Sequence, residues 1–485
     1  VNLQALETQG ELLHQDLGRE YYLTGAGLKP EAAFEAIYRR YPALLSDEAL
    51  ACARESGTPS LLEWLVGLRV GRAIATLEER QLAWEQHATA RVNGRDVPYL
   101  RVPIELVNLD DRKARIALDV ARAALVSSEL TPLLRTRWER EREVLAALGF
   151  EDYVAAVSTL SGIDLARLGL ESERFLDATT DLYRESLERV VRQRLGSVPL
   201  AGLVRSDASW VFRARDFDGA FPGAAIVGTA GRQMAELGVS ATQRGRITFD
   251  TEERPGKQPR AFCVPVRVPE EVYLVLRPRG GHADYRTFWH ELGHALHFAS
   301  VESTQPFAAR WLGDTSVTEG FAMLWEHMTI EARWLRRYAG LNRDHSGRLV
   351  FELAVHELYG VRRYAAKLSY ELLLHRGAPG AADEYVDRLT RATLFRYAPD
   401  DYLADVDPWF YAARYLRAWQ LEAALAEALT SRFDEDWHRN ARAGAYVQEL
   451  MSRGQADAAD RLAEEATGAG LSYAPLIARL ERLLG

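Results

Sequence analysis

Residues Asp284–Ser300 read DYRTFWHELGHALHFAS, and both the fold and the chemistry of the chain turn on this stretch. Trp289, Leu292, Leu296 and Ala299 recur at helical spacing, while His290 and His294 fall on the opposite side, about 40° apart in projection. Such a helix buries one face and offers the other. The string His290–Glu291–Leu292–Gly293–His294 is HExxH. In it two imidazoles one turn apart bind one Zn2+, and the glutamate after the first of them points to the open side of the metal as a general base.

A catalytic zinc takes a third protein ligand and a water. Ser300 stands where an HExxHxxGxxH site would carry its third histidine, and position 297 is His rather than Gly, which excludes that arrangement. Of the acidic residues that follow, Glu302 lies too near the first helix to fold back easily. Glu319 opens a second helical pattern, VTEGFAMLWEHM, from Val317 to Met328. There Phe321, Leu324 and Met328 make the buried side and Glu319, Met323 and Glu326 share the other. Two such helices packed together would bring His290, His294 and Glu319 into a His2Glu set, with Glu326 as a partner behind the ligands. Alternatives stay open: Ser316–Glu319 also reads as a capping box, in which the carboxylate caps its own helix, and Glu326 fits a solvated or salt-bridged carboxylate equally well. One Zn2+ per chain is expected, a judgement over manganese or cobalt made from the His2Glu donor set and from the family resemblance described below.

The chemistry that these residues suit is amide hydrolysis: the metal acidifies a water and polarises a carbonyl, and Glu291 carries the proton to the leaving amine. An oxyanion donor is still needed. Near the C-terminus, PWFYAARYLRAW places Tyr411 and Tyr415 at i, i+4 on one helix face, a spacing shared by catalytic and ordinary core aromatics.

The rest of the 485 residues bounds the setting. Hydrophobic residues make up 47% and charged residues 27%, a globular composition, and no apolar run is long enough to span a bilayer. A net charge of −9 argues against nucleic acid or an anionic membrane as partner. Only four of the 60 basic residues are lysines (Lys29, Lys113, Lys257, Lys367), so the arginine excess reads as the codon bias of a GC-rich bacterial genome, not as a phosphate-binding patch. Cys52 and Cys263 make no disulfide framework. A cytoplasmic protein is expected, with the natural start left open by Val1.

Helical periodicity dominates, in Leu61–Trp84, Lys113–Leu125, Pro132–Leu148, Arg174–Leu195, Leu353–Leu374 and Trp409–Leu429. The fold class is therefore mostly α, with one short strand pair, Ala261–Val268 and Val272–Arg277, just before the HExxH helix. Pro265 is expected on an edge or at a bulge. A Gly- and Pro-rich stretch from Leu195 to Phe249 suggests a boundary, giving an N-terminal helical lobe over 1–195 and a catalytic region over 196–485.

With these residues in view, the chain resembles the thimet oligopeptidase and oligoendopeptidase F family of zinc metallopeptidases. Four blocks carry the resemblance in the family's order: RPGKQPRAFC at Arg254–Cys263, DYRTFWHELGHALH at Asp284–His297, TEGFAMLWEH at Thr318–His327 and DPWFYAARYLRAW at Asp407–Trp419. The step from His290 to Glu319 also matches the family's ligand spacing. The resemblance implies a zincin-like helical ellipsoid with zinc on the floor of a deep channel that the C-terminal helices close, and short oligopeptides as substrates. It implies that Tyr411 and Tyr415 stabilise the transition state. It further implies that Val272, Tyr273, Leu274 and Val275 form a sheet edge on which substrate pairs by β-addition. His297 matches the family's trailing histidine and is read either as a pocket or second-layer residue or as a structural one. His282 is a residue that could approach substrate. Where the family usually shows Gly before Ala-Phe, this chain has Arg260, and it is shorter than most members, which bears on the outer subsites. His356–Glu357 lacks a second histidine, position 360 being Gly, and is read as a decoy. A metallocarboxypeptidase of the Taq type is the alternative within the same chemistry, although Thr318–Glu319–Gly320 departs from its usual third-ligand string. A non-catalytic helical binding module is the remote one, and oligomeric state has no signal.

Overall fold

Amphipathic helices account for most of the chain in a computed structural model that describes residues 2–485. In chain order the principal elements are α1 (Leu3–Gly25), α2 (Pro59–His87), β1 (Thr89–Val92), β2 (Arg95–Pro98), α3 (Arg112–Leu125), α4 (Thr131–Ala147), α5 (Leu165–Ala178), α6 (Thr180–Leu195), β3 (Ile247–Asp250), β4 (Phe262–Arg267), β5 (Glu271–Val275), α7 (His282–Ser300), α8 (Thr315–Met328), α9 (Arg343–His375), α10 (Tyr411–Phe433) and α11 (Ala441–Ser452). Among the described residues no helix is long and apolar enough to cross a membrane.

The chain divides into two units. One gathers the residues up to Val66, Ala214–Phe351 and Arg417–Arg479; the other gathers Gly67–Arg213, Glu352–Leu416 and Leu480–Gly485. This differs from a linear division at 195/196, because each core draws on helices far apart in sequence. The Gly- and Pro-rich stretch expected to mark a boundary contains one of the divisions, between Arg213 and Ala214, and also carries two helices, Arg205–Val211 and Ile226–Glu236, and the strand β3.

Within the first unit a three-stranded sheet has the order β3-β5-β4, with β3 parallel and β4 antiparallel to β5. Val272, Tyr273, Leu274 and Val275, expected at an edge, therefore lie on the central strand, with a neighbour on each side. The extra neighbour is β3, whose four residues ITFD are too short to declare a period. The free edge belongs to β4. The N–H groups of Val272 and Leu276 donate to Arg246 and Asp250 on the β3 side, so the alternate residues Tyr273 and Val275 face β4 and pair with Val264 and Phe262. Cys263 and Pro265 accordingly turn their backbones outward. Pro265, which has no N–H to give, sits both on an edge and next to a register shift before Arg267, as expected.

In the second unit the helix expected over Arg174–Leu195 is broken at Thr179 into α5 and α6. The break has a partner: the buried Arg362 guanidinium donates to the Leu176 carbonyl and to Thr179 Oγ1, at 2.7 and 2.6 Å. The β1–β2 hairpin turns through Asn93-Gly94, both at positive φ, which is the preferred chemistry of a two-residue hairpin loop.

Several histidines are structural. In the first unit His14 of α1 is stacked between Trp64 and Trp311, at centroid distances of 5.4 and 4.9 Å, and burial pushes its pKa down to about 4. In the unfolded chain a histidine titrates near 6.5, so His14 costs no stability above that pH and increasingly destabilises the fold as the pH falls toward 4. At pH 5 the loss from this residue is expected to be about 2 kcal/mol. The drop in melting temperature between pH 7 and pH 5 should be smaller in His14→Phe than in the parent, and equal drops would contradict the assignment.

Candidate metal centre

The site is built on α7 and α8, and a glycine sets how closely they meet. A methyl group on Gly293 would fall 2.6 Å from Ala322 Cα and 2.6 Å from Trp325 Cδ1, so only hydrogen fits at the crossing. Behind α7, the buried Trp289 indole donates to Gln233 Oε1 at 2.7 Å, and the Trp334 indole donates to the same oxygen at 2.8 Å. α8 begins at Asp314, whose side chain accepts the Ser316 N–H at 2.9 Å and the Arg417 guanidinium at 2.9 Å. The cap is therefore Asp314 and not Ser316. Glu319 lies inside the helix and is not spent on capping it.

Across this contact His290, His294 and Glu319 converge, with one ligand atom from each within 4.8 Å of the others. Glu319 Oε2 is 3.4 Å from His290 Nε2 and 3.6 Å from His294 Nε2. The outer ring nitrogens are also engaged. His290 Nδ1 lies 2.7 Å from Glu326 Oε2, and His294 Nδ1 lies 2.9 Å from Thr318 Oγ1. A carboxylate can only accept, so Nδ1 of His290 carries a proton toward Glu326, which leaves Nε2, on the side of Glu319 and His294, as the nitrogen that would ligate a metal. Thr318 suits the same tautomer at His294. Glu326 is in turn held by the Arg286 guanidinium, one helical turn before His290.

The charges of these groups are tightly interlocked. Burial works to raise the Glu319 carboxyl, yet the two histidines hold it well below the usual carboxylate range. Burial also opposes the charge on Glu326, but Arg286 and His290 bring its pKa down to about 2. His290 is pushed up to about 10: burial disfavours its cation, and hydrogen bonds to Glu319 and Glu326 outweigh that. Two anionic carboxylates around two imidazoles, with both outer nitrogens oriented by a second layer, form a donor set that fits a divalent transition-metal ion.

Glu291 stands beside this set with a different anchor. Its Oε2 accepts the outward N–H of Cys263 on the free edge of β4 at 2.7 Å. Burial raises its pKa, against the pull of His294 and His290. The carboxyl is thus held in position and made more basic.

The remaining expected residues have partners of their own. His297 is fully buried, shares a 3.1 Å hydrogen bond with the Gly454 carbonyl and packs against Phe321, and burial lowers its pKa to about 4. The structural alternative is the one seen. His282, at the start of α7, bonds the Thr329 carbonyl at 3.0 Å and meets Phe221 edge-on, with its pKa likewise lowered to about 4 by burial, so its ring is taken up by the fold. In the other unit Tyr411 and Tyr415 share one face of α10, with ring centroids 5.0 Å apart, and Tyr415 also packs against Tyr364. They follow two aromatic residues at positive φ, Trp409 and Phe410, an uncommon conformation that the Tyr153 hydroxyl supports by accepting the Trp409 N–H at 2.9 Å. His356 stacks flat on Phe212.

Three participants were not singled out from sequence: Thr318, Arg286 and the Cys263 amide. Arg286 and Thr318 had signals, one being four residues before His290 and the other adjacent to Glu319. The amide had none. No protein-family model matches the chain, and a comparison with curated proteins finds no match either.

Two predictions follow from the geometry. Glu326→Gln keeps the size of the side chain and removes the charge behind His290, and should weaken metal affinity 10- to 100-fold by competition with a chromogenic chelator. Gly293→Ala should force the helices apart, at a cost of about 1–3 kcal/mol for overpacking, and lose metal affinity as well as melting temperature. A Gly293→Ala protein with both unchanged would contradict the close approach.

Proposed function

We propose that the protein is a zinc-dependent metallopeptidase that hydrolyses internal peptide bonds of short oligopeptides, of the thimet oligopeptidase and oligoendopeptidase F kind. The observation that carries the reading is the conjunction of a His2Glu donor set, oriented from behind by Glu326 and Thr318, with a separately anchored, raised-pKa carboxyl at Glu291. The sequence blocks that resemble the family support it further.

His290, His294 and Glu319 would hold the zinc, and zinc supplies an acidified water and an electrophile for the scissile carbonyl. Glu291 is the proton carrier. With Oε2 fixed by the Cys263 amide, Oε1 is the oxygen that takes the proton of the attacking water. As the C–N bond breaks, the same carboxyl returns that proton to the departing amine. A raised pKa favours the first half of the transfer, since a carboxyl that is too acidic accepts poorly. Arg286 and Glu326 keep the His290 ring in its metal-binding orientation, and Thr318 does so for His294. Tyr411 and Tyr415 take the oxyanion-donor role that the resemblance implies, and substrate reaches the site by the channel that it also implies.

The test is metal content together with cleavage of an internally quenched peptide of about eight residues, blocked at both ends. About one zinc per chain in both the parent and Glu291→Gln is expected, with turnover in the parent only and its loss on chelation. Tyr411→Phe and Tyr415→Phe should lower kcat about 10²- to 10³-fold, the cost of one oxyanion donor, with metal content intact. Zinc with cleavage only of peptides bearing a free carboxylate would favour a carboxypeptidase, and no bound metal would refute the reading.

A further inference from the structure

α1 brings a side chain from the start of the chain to the strand that anchors Glu291, and its docking is closely determined. A methyl on Gly18 would fall 2.5 Å from the Pro265 carbonyl oxygen, and one on Gly25 would fall 2.6 Å from the Phe262 ring. Tyr22 stacks on Tyr273 at 3.7 Å and donates its hydroxyl to Asp250 at 3.2 Å. Arg19 pairs with Glu271 at 2.9 Å. From the loop before β4, the Gln258 N–H donates to the Gly25 carbonyl at 2.8 Å and Arg254 donates to the Ala26 carbonyl at 3.0 Å. α1 is thereby seated on the sheet face that carries Phe262, Val264, Tyr273 and Val275, and reaches the edge of β4 at Gly18.

Tyr21 is not used up by that docking. It keeps 40% of its surface open, while its ring stands edge-on to Phe262 with centroids 5.2 Å apart. Phe262 immediately precedes Cys263, whose amide holds Glu291. The Tyr21 hydroxyl is tethered by the Gln258 side chain, and its pKa is raised by burial first and by the Glu291 charge second. A large ring is thus pinned, part open, against the residue that precedes the amide holding the general base.

We propose that Tyr21 walls the subsite for the residue on the leaving-amine side of the scissile bond and selects peptides with a large apolar or aromatic side chain there; the inference rests on the peptidase reading. The side follows from the chemistry. Glu291 must reach the departing nitrogen to deliver its proton, so a ring fixed beside Glu291 meets the residue that carries that nitrogen. The neighbouring strand cannot do the selecting. Of the outward positions of β4, Cys263 has given its N–H to Glu291 and Pro265 has none, so a substrate strand finds no amide donors there and ladder pairing is blocked. Side-chain contact with Tyr21 is what this edge offers instead.

The test uses the full chain loaded with zinc and a series of end-blocked quenched peptides that differ only on the leaving-amine side, as Phe, Leu, Ala or Gly. In the parent, kcat/KM should fall from Phe to Gly. Tyr21→Ala should lose about 10- to 100-fold on the Phe and Leu peptides, the discrimination an apolar contact supplies, and less than about threefold on the Gly peptide. Tyr21→Phe should keep the parent's order. Tyr21→Gln, which retains side-chain length, replaces Tyr21→Ala in the comparison should the latter lose its melting transition. An equal loss on all four peptides, or an unchanged Phe-to-Gly ratio, overturns the assignment to Tyr21. A parent that binds zinc and cleaves none of the four overturns the endopeptidase reading itself, so the two failures are distinct.

Discussion

The approach of α7 to α8 at Gly293 is the constraint on which the site depends. The candidate donors come from two helices that share no hydrogen-bond ladder, so their separation is set by what lies between the helix axes. With Ala322 Cα and Trp325 placed where a Gly293 methyl would be, the helices can touch backbone to side chain only because position 293 has no side chain. That contact brings Glu319 to 3.4 and 3.6 Å from the two imidazole nitrogens. α8 in turn cannot drift, since Gly320 on its other flank lies against Leu421, where a methyl would fall 2.7 Å from the leucine side chain, and Asp314 ties its first turn to Arg417. The donor set is therefore a consequence of packing before it is one of electrostatics.

Electrostatics then decides which state the donor set adopts. Glu319 and Glu326 lie on either side of His290, and both remain anionic despite burial because compensating cations sit within hydrogen-bond reach. A lone buried carboxylate in such surroundings would take up a proton and be lost as a ligand. Arg286 matters here, since it neutralises Glu326 without competing for the inner nitrogens. Glu291 is left out of the network. It has a backbone amide and no arginine, and burial is free to raise its pKa. Two carboxyl groups beside the same imidazoles thus diverge, Glu319 held toward its charged form and Glu291 raised toward its protonated one.

Much of this was legible in the sequence, for local reasons. The faces of α7 and α8 follow from a period of 3.6, and so do the pairing of His290 with His294 and the placing of Glu326 on the side of Glu319. The i, i+4 geometry of Tyr411 and Tyr415 is equally local. What could not be read depends on distant segments. β3 is four residues long, and only its parallel partnership with β5 makes it a strand, which is why Val272–Val275 were expected at an edge and proved central. The break at Thr179 answers to Arg362, some 180 residues away in the chain. His297 and His282 have the same spacing signature as functional histidines, and only the carbonyls of Gly454 and Thr329 reveal their structural role.

The anchoring of Glu291 shows why a backbone donor suits this position. A side-chain donor would bring either a charge, which would depress the carboxyl's pKa, or rotamer freedom, which would blur its aim. An amide on a sheet edge brings neither, provided that its strand is fixed in phase. Pro265 helps fix that phase: it cannot face inward to β5 without leaving a carbonyl unpaired, so it holds Cys263, two residues earlier, facing outward as well. α1, seated on the sheet face, meets the same edge at Gly18, against the Pro265 carbonyl. The proline, the amide and the first helix are thus one device, which gives the edge of a small sheet to holding a single carboxylate.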